Sequence, residues 1–300
     1  MSIDNLSKDS TVALTSFAII KMMTVRIVTD SASDIPKEIS ESLGISVVPI
    51  TISFGEEIYR DGIDITINEL SHKIDKSPEY PKTAHPTVAS FAATYRSIAE
   101  SGDSIVSIHL SDKLSGTFHA ASLASRKLEK GCRIEVIDSR TVSMGLGLIV
   151  IAAARAVQAG KSFVEVVQSV YQDISKIRLA AYFETLEYLY RGGRIGKARA
   201  LFGSLLHVKP LIVVNDGEVQ PLCYTRTRTG ALRRLRDYVK SLLPIRELAV
   251  MYGENKESAD TLVEMLSDLC EENHIIQTQA GVTLGVHAGA QTLALSALLE

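Results

Sequence analysis

The sequence predicts an α/β protein of two domains, an N-terminal one on a parallel sheet and a C-terminal one on a mixed sheet. Short β-branched runs alternate with amphipathic stretches between residues 24 and 162, which is how parallel strands joined by crossover helices read. Beyond residue 162 two apolar runs face each other across "NDGE", where Asp-Gly tolerates the positive φ angles of a tight hairpin turn. A chain of 300 residues is long for one domain and comfortable for two, divided here at 24–162 and 163–300.

Residues 1–23 stand apart. Their apolar patch, 12–20, is too short to span a bilayer, and Asp4 and Asp9 against Lys8 is the wrong balance for a signal peptide. The expectation is a disordered extension, or a start codon placed too early with Met22 or Met23 as the true beginning. Folded structure is expected from Thr24.

The elements follow in order. "TVRIVTDSASD" is a strand ending at Thr29-Asp30-Ser31, "IPKEISESLG" a helix stopped by Gly44, and "ISVVPITISF" the next strand, together a β-α-β unit. "GEEIYRDGIDITINELSHKID" reads as a small hairpin and then a helix from about Thr66. "SPEYPKTAHPT" carries three prolines and is assigned to loop. Then come an amphipathic helix "VASFAATYRSIAESG", a buried strand "DSIVSIHLS", a helix "GTFHAASLASRKLEKG" and a strand "CRIEVIDS". "SMGLGLIVIAAARAVQAG" is a helix with almost no polar face. In the second half a helix over 163–175 leads to the strand "IRLAAYFE" and to glycine-broken helical pieces in "LEYLYRGGRIGKARALFGSLL". The hairpin about "NDGE", the basic amphipathic helix "TGALRRLRDYVKSLL", the run "ELAVMYGE", the helix "ESADTLVEMLSDLCEE" and "TLGVHAGAQTLALSALL" complete the chain.

Composition excludes some function classes. A net charge of -3, with basic residues not gathered into a block, argues against a nucleic-acid footprint. Cys132, Cys223 and Cys270 have no paired spacing, which suits a reducing cytosol, and no His/Cys/Asp/Glu cluster has metal-ligand spacing. Neither G-x-G-x-x-G nor G-x-x-x-x-G-K-[ST] occurs, so nucleotide binding lacks its usual phosphate cradle.

Five places remain as candidate chemistry. Asp30, Ser31, Ser33 and Asp34 follow the first strand and read as helix caps. Thr83 lies between Pro81 and Pro86, which restrict its backbone, so its hydroxyl either is aimed at a ligand or caps the following helix. In "KLSGTF", Ser115 and the amides of Gly116 and Thr117 open a helix, where an anion is favoured. That anion is a phosphate, a transition-state oxyanion or a carboxylate. Arg194, after the glycine pair of "LYRGGRIGKAR", is the cation placed beside an anion, and His287 can donate one hydrogen bond when neutral. An enzyme reading makes Ser115 the nucleophile and His287 the base of a serine acyl hydrolase, with no third group identified to orient the histidine.

Taken together, "IVTDSASDIP", "PKTAHPT", "LSGTF", "VIDSRTVSMGLGLIV", "LEYLYRGGRIGKA", "KPLI", "TRTRTGAL" and the C-terminal "HAG" resemble the DegV family from Val25 to the end of the chain. The resemblance implies a ligand tunnel between the two domains that holds one long-chain fatty acid. It also implies service as the acyl-binding subunit of an ATP-dependent fatty acid kinase, non-enzymatic and cytoplasmic, with no cofactor and the phosphoryl chemistry on the partner. A lipid-responsive regulator is the other reading. No integral membrane segment is implied, only transient contact with a membrane surface. Thr83, Ser115, Gly116, Thr117, Arg194 and His287 look like the carboxylate site, and Arg226 and Arg228 like the surface that meets the kinase subunit. Ala84 stands where the family usually has serine, and "HAGAQ" where it commonly reads His-x-Gly-Pro-Gly. For the acyl tail, Gly145, Gly147, the alanines 152–154 and "ALFGSLLHV" are expected to leave room.

Overall fold

A computed structural model describes residues 24–76, 79–99, 103–128, 132–201, 208–270 and 275–300. The expectations for 1–23, and most of "ALFGSLLHV", lie outside the described residues. Strand β1 (Val25–Asp30) and helix α1 (Lys37–Ser42) lead to a point where the reading needs correction. "ISVVPITISF" is two strands, β2 (Ser46–Val48) and β3 (Thr51–Phe54), in different sheets. Pro49 lies between them, and without an amide hydrogen it cannot carry a sheet ladder across the bend. Strand β3 pairs antiparallel with β4 (Glu57–Arg60) and, on its other side, with β5 (Lys82–Ala84). The proline-rich stretch is therefore not all loop. The residue before a proline is pushed toward extended backbone, and the short run ahead of His85-Pro86 becomes an edge strand.

Helix α2 (Ile67–Lys76) is capped at Thr66, whose hydroxyl accepts from Glu69 N while the Glu69 carboxylate accepts from Thr66 N. After α3 (Val88–Ala99), β6 (Ser104–His109), α4 (Thr117–Lys127) and β7 (Ile134–Asp138), the first sheet is complete in the order β2-β1-β6-β7, parallel throughout. One face packs Val28, Val48 and Ile105 against Phe91 and Tyr95 of α3 and Ala121 of α4. The other face meets α5 (Met144–Gln158), which is buried on nearly every side.

The second sheet has the order β10-β9-β8-β13-β11-β12. It is built from β8 (Ile177–Tyr182), β9 (Lys209–Asn215), β10 (Glu218–Thr225), β11 (Ile245–Tyr252), β12 (Ile275–Gln279) and β13 (Leu293–Leu299). Only the β11–β12 pair is parallel. The turn between β9 and β10 has φ of 48° at Asp216 and 77° at Gly217, as the Asp-Gly pair requires. The remaining helices are α6 (Phe163–Lys176), α7 (Glu187–Arg191), α8 (Arg228–Leu242), α9 (Lys256–Leu266) and α10 (Val282–Ala288). Side chains alternate across each strand, so Ala180, Leu248, Val250 and Leu295 face α8 and α9 while Leu179, Ala181, Ala249, Met251 and Ala294 face α5. Both sheets thus share the core around α5.

The glycines of α5 serve that packing and not a ligand. A Cβ at Gly145 would collide with the Thr141 hydroxyl, and one at Gly147 would lie 2.6 Å from the Ser33 carbonyl oxygen. An alanine in a helix interior normally gains up to about 1 kcal/mol over glycine, whereas overpacking costs about 1–3 kcal/mol. Gly147→Ala is therefore expected to lower the unfolding free energy by about 1–2 kcal/mol in urea melts, the overpacking outweighing the helix propensity. A gain in stability would refute the close-packing role.

Candidate functional site

Between the two sheets lies a cavity of about 400 Å³. Its wall on the second sheet is apolar, from Leu179, Ala181, Ile212, Val214, Met251 and Ala294, and Leu110, Leu114 and Val142 face it from the N-terminal side. Neither Gly145, Gly147 nor the alanines of α5 line it. Its polar residues include Thr83, Ser115, Gly116, Arg194 and His287, drawn from four separate segments of the chain.

Each is placed by its local structure. Thr83 lies in β5 opposite Ile52, half-buried between exposed Lys82 and Ala84, as strand alternation dictates. The Ser115 loop leaves β6 at the point where the strand order of the parallel sheet reverses, the usual ligand crevice of such sheets. It is a tight turn: the Leu114 and Ser115 amides both donate to the Ser111 carbonyl, and Ser111 Oγ donates to Gly217 O at 2.8 Å. Gly217 must be glycine there twice over, since a Cβ would also collide with Ser111 Oγ. Arg194 donates from Nε to Leu114 O at 3.1 Å and from Nη1 to Gly192 O, fastening the turn after α7 to this loop. His287 stands in the last turn of α10, where a Cβ on Gly192 would strike its Nδ1.

The central polar contact joins Thr83 Oγ1 and His287 Nε2 at 2.9 Å. Burial, and after it the positive charge of Arg194, pushes the His287 pKa down to about 4, so the imidazole is neutral at pH 7. Its Nδ1 is shielded and has no hydrogen-bond partner among the described residues. A proton on Nε2 leaves only an unpaired lone pair there, the less costly arrangement. Nε2–H then donates to Thr83 Oγ1, and the Thr83 hydroxyl hydrogen is free to donate into the cavity. Ser115 Oγ lies 2.9 Å from Thr117 Oγ1 and accepts from the Thr117 amide at 3.3 Å. Thr117 is buried behind Ser115 and does not line the cavity.

Among the described residues Ser115 is hydrogen-bonded to Thr117 and His287 to Thr83, so the hydrogen bonds present do not link Ser115 to the imidazole, and none orients the ring through Nδ1. Arg226 and Arg228 do not line the cavity: Arg226 is exposed, and Arg228, at the start of α8, is half-buried, its buried Nε and Nη2 without a partner among the described residues. Among the described residues no group of three or more His, Cys, Asp or Glu side chains could hold a metal ion, and no helix is long and apolar enough to cross a membrane.

Residues read as simple caps do more than cap. Asp30 accepts from the Ala32 amide but also from the Leu110 amide at 3.1 Å and pairs with His109 Nδ1 at 2.9 Å, all fully buried. Asp34 and Asp61 accept from the Gly281 and Val282 amides at the start of α10. The signal that points to Asp30 and Asp34 is their place at the carboxyl end of β1, beside the reversal of strand order; Asp61 follows β4 and lies outside it.

A family model described as "Uncharacterised protein, DegV family" matches residues 24–300. A DegV domain-containing protein of Caldanaerobacter subterraneus is 36% identical over 271 residues, covering 89% of this chain and 96% of its own. Among solved structures, a DegV family protein of Thermus thermophilus, described by its fatty acid binding, superposes with a TM-score of 0.86 at 29% identity, over 92% of this chain and 99% of that one. A stearic acid-binding protein of Eubacterium ventriosum superposes with a TM-score of 0.82 at 28% identity, over 92% and 98%.

The depressed pKa of His287 has a measurable consequence. Between about pH 4 and its ordinary value of 6.5 the unfolded chain binds the proton more readily than the folded one, so this residue's contribution is complete above pH 6.5 and is lost as pH falls toward 4. The contribution is at most about 3 kcal/mol. In His287→Asn the difference in unfolding free energy between pH 7 and pH 4.5 should shift by about 2 kcal/mol in that sense, by urea titration. No shift would mean that the imidazole titrates normally.

Proposed function

The chain belongs to the DegV family, and from that premise we propose that it binds one long-chain fatty acid in this cavity and presents its carboxylate to an ATP-dependent fatty acid kinase subunit. The observation that carries the reading is the pairing of Thr83 with His287 beside Ser115, Gly116 and Arg194 in a cavity whose wall is otherwise largely apolar. A buried carboxylate is costly unless donors meet it, and two hydroxyls, an amide and a guanidinium are of the right chemistry. The tail supplies the affinity, at ~0.8 kcal/mol per methylene, so about fifteen carbons offer roughly 12 kcal/mol before the costs of association. The Thermus thermophilus and Eubacterium ventriosum proteins, similar over nearly their whole length, lend support through the fatty acids that they bind.

In this reading Thr83 and Ser115 donate to the carboxylate, with Thr117 holding the Ser115 side chain. Donors of this kind favour the ionised acid, which is the form that can attack a phosphoryl group. Arg226 and Arg228 are assigned to the partner surface, where the exposed Arg226 suits an acidic group of the partner. A protein working with an ATP-dependent partner belongs in the cytoplasm, and Cys132, Cys223 and Cys270 are free.

Delipidated protein offered mixed lipids should retain one fatty acid in native mass spectrometry; a folded protein that retains none overturns the reading. Thr83→Ala combined with Ser115→Ala removes two charge-assisted hydrogen bonds, so the dissociation constant should rise by at least about tenfold. An unchanged constant would remove the headgroup assignment. Arg226→Ala with Arg228→Ala should leave acyl loading intact and lower acyl phosphate formation by an added kinase subunit. Equal rates would move the partner surface elsewhere.

A further inference from the structure

His85 also lines the cavity, yet it stands outside the headgroup set of Thr83, Ser115, Gly116, Arg194 and His287. It follows Thr83 by two residues on extended backbone, so the two side chains fall on one side of the segment, roughly 7 Å apart along it. Thr83 is half-buried and His85 exposed, which puts the hydroxyl inside the cavity and the imidazole at its mouth. The ring is held there from two sides. Its Nδ1 lies 3.0 Å from the carbonyl oxygen of Pro86. A carbonyl only accepts, so Nδ1 carries a proton, and in the neutral ring Nε2 is a bare lone pair. The Nε2 edge rests on Gly116, where a Cβ would lie 2.8 Å from His85 Cδ2 and 3.0 Å from Nε2. Gly116 has a φ of -74°, which any residue adopts, so the backbone does not call for glycine there. The close approach of the imidazole does.

The two histidines of the cavity thus differ in chemistry. His287 directs its Nε2 hydrogen to Thr83, whereas Nε2 of His85 is a base that, once protonated, donates a hydrogen bond of its own. The acyl-binding reading runs the chain inward from the headgroup, so a phosphoryl group added by a partner arrives from the mouth, where this ring stands. The interior, with one guanidinium at Arg194, is matched to a monoanion, and the charge that a phosphoryl group adds has to be met further out. The other cations nearby are already engaged. Arg194 donates to Leu114 O and Gly192 O, and Lys113 of the facing loop is paired with Asp216. Imidazole is the side chain that gains a proton most readily near neutrality, and an adjacent phosphoryl dianion favours the charged ring.

We propose that His85 receives the phosphoryl group of an acyl phosphate: protonated on Nε2, the ring donates to a phosphoryl oxygen at the mouth while Thr83 and Ser115 keep the carboxyl end. The ring forms no covalent bond, and the bond-making stays with the partner. The inference rests on the reading proposed above, and two ligands of equal chain length separate it from that reading. One is hexadecanoate; the other is a 2-oxoalkylphosphonate, whose methylene replaces the bridging oxygen of an acyl phosphate. His85→Ala should raise the dissociation constant of the phosphonate about tenfold and leave that of the acid within about twofold of the wild type. Nitrogen-15 signals of the His85 ring should show Nε2 gaining a proton when the phosphonate binds. An equal loss for both ligands would make the ring a prop for Gly116 and overturn the inference. So would an unchanged phosphonate constant, a wild type that takes the acid and refuses the phosphonate, or a ring that stays bare at Nε2. A folded wild type that retains neither ligand defeats the acyl-binding reading itself, and this inference with it.

Discussion

The hydrogen bond between Thr83 Oγ1 and His287 Nε2 joins residues 204 positions apart at the polar end of the cavity. Thr83 is carried by an edge strand of three residues and His287 by a helix of seven, elements with almost no stability of their own. Their meeting therefore depends on everything that seats α10. Asp34 and Asp61 hold its first turn, and Tyr80 donates from its hydroxyl to the Val286 carbonyl. Gly285 lets Ile67 and Leu70 of α2 approach, since a Cβ would lie 2.7 Å from Leu70 Cδ2. Together these contacts seat the turn of α10 that carries His287.

The rest of the cavity follows from how the two sheets share a core. Both present one apolar face to α5, and the helix fills only part of the space between them. Where the second sheet faces the remainder it carries small residues, Ala181 and Ala294, beside Leu179 and Met251. Longer side chains at the two alanines would close the gap and give an ordinary packed interior. The hairpin turn at Asp216-Gly217 then docks on the Ser111 loop, through Lys113 and Arg140 to the Asp216 carboxylate and through Ser111 to Gly217 O. That contact fixes the mouth of the Ser115 turn from the opposite side.

Alternation of strand and helix was legible along the chain because period and length suffice for it, and the Asp-Gly turn announced its own geometry. The strand broken at Pro49 was less so: apolar periodicity runs straight through 46–54, and only the missing amide marks the break. Thr83, Ser115, Arg194 and His287 could each be singled out from a proline frame or a glycine neighbour, yet nothing in one dimension says that they meet. The glycines of α5 were misread because an absent side chain signals space equally for a ligand or for the Ser33 carbonyl. Asp34 was read as a cap because its neighbours suit one; its partner Gly281 lies 247 positions downstream. Its place after β1 marks Asp34 as a candidate, but the distant partner leaves no local trace.

The charge balance of the cavity narrows what it can hold. Among the described lining residues Arg194 is the one arginine or lysine, and none is acidic. His287 is kept neutral by burial and by that same arginine. A guanidinium spending donors on Leu114 O and Gly192 O is anchored, and it offers one fixed positive charge to the cavity. A monoanion such as a carboxylate cancels that charge, and neutral hydroxyls satisfy its remaining lone pairs without adding to the net. A phosphate ester, at about -1.5 to -2 near pH 7, would leave close to one uncompensated negative charge in a largely apolar enclosure. On the proposed reading, the site that holds the acid is thus poorly matched to its phosphorylated product.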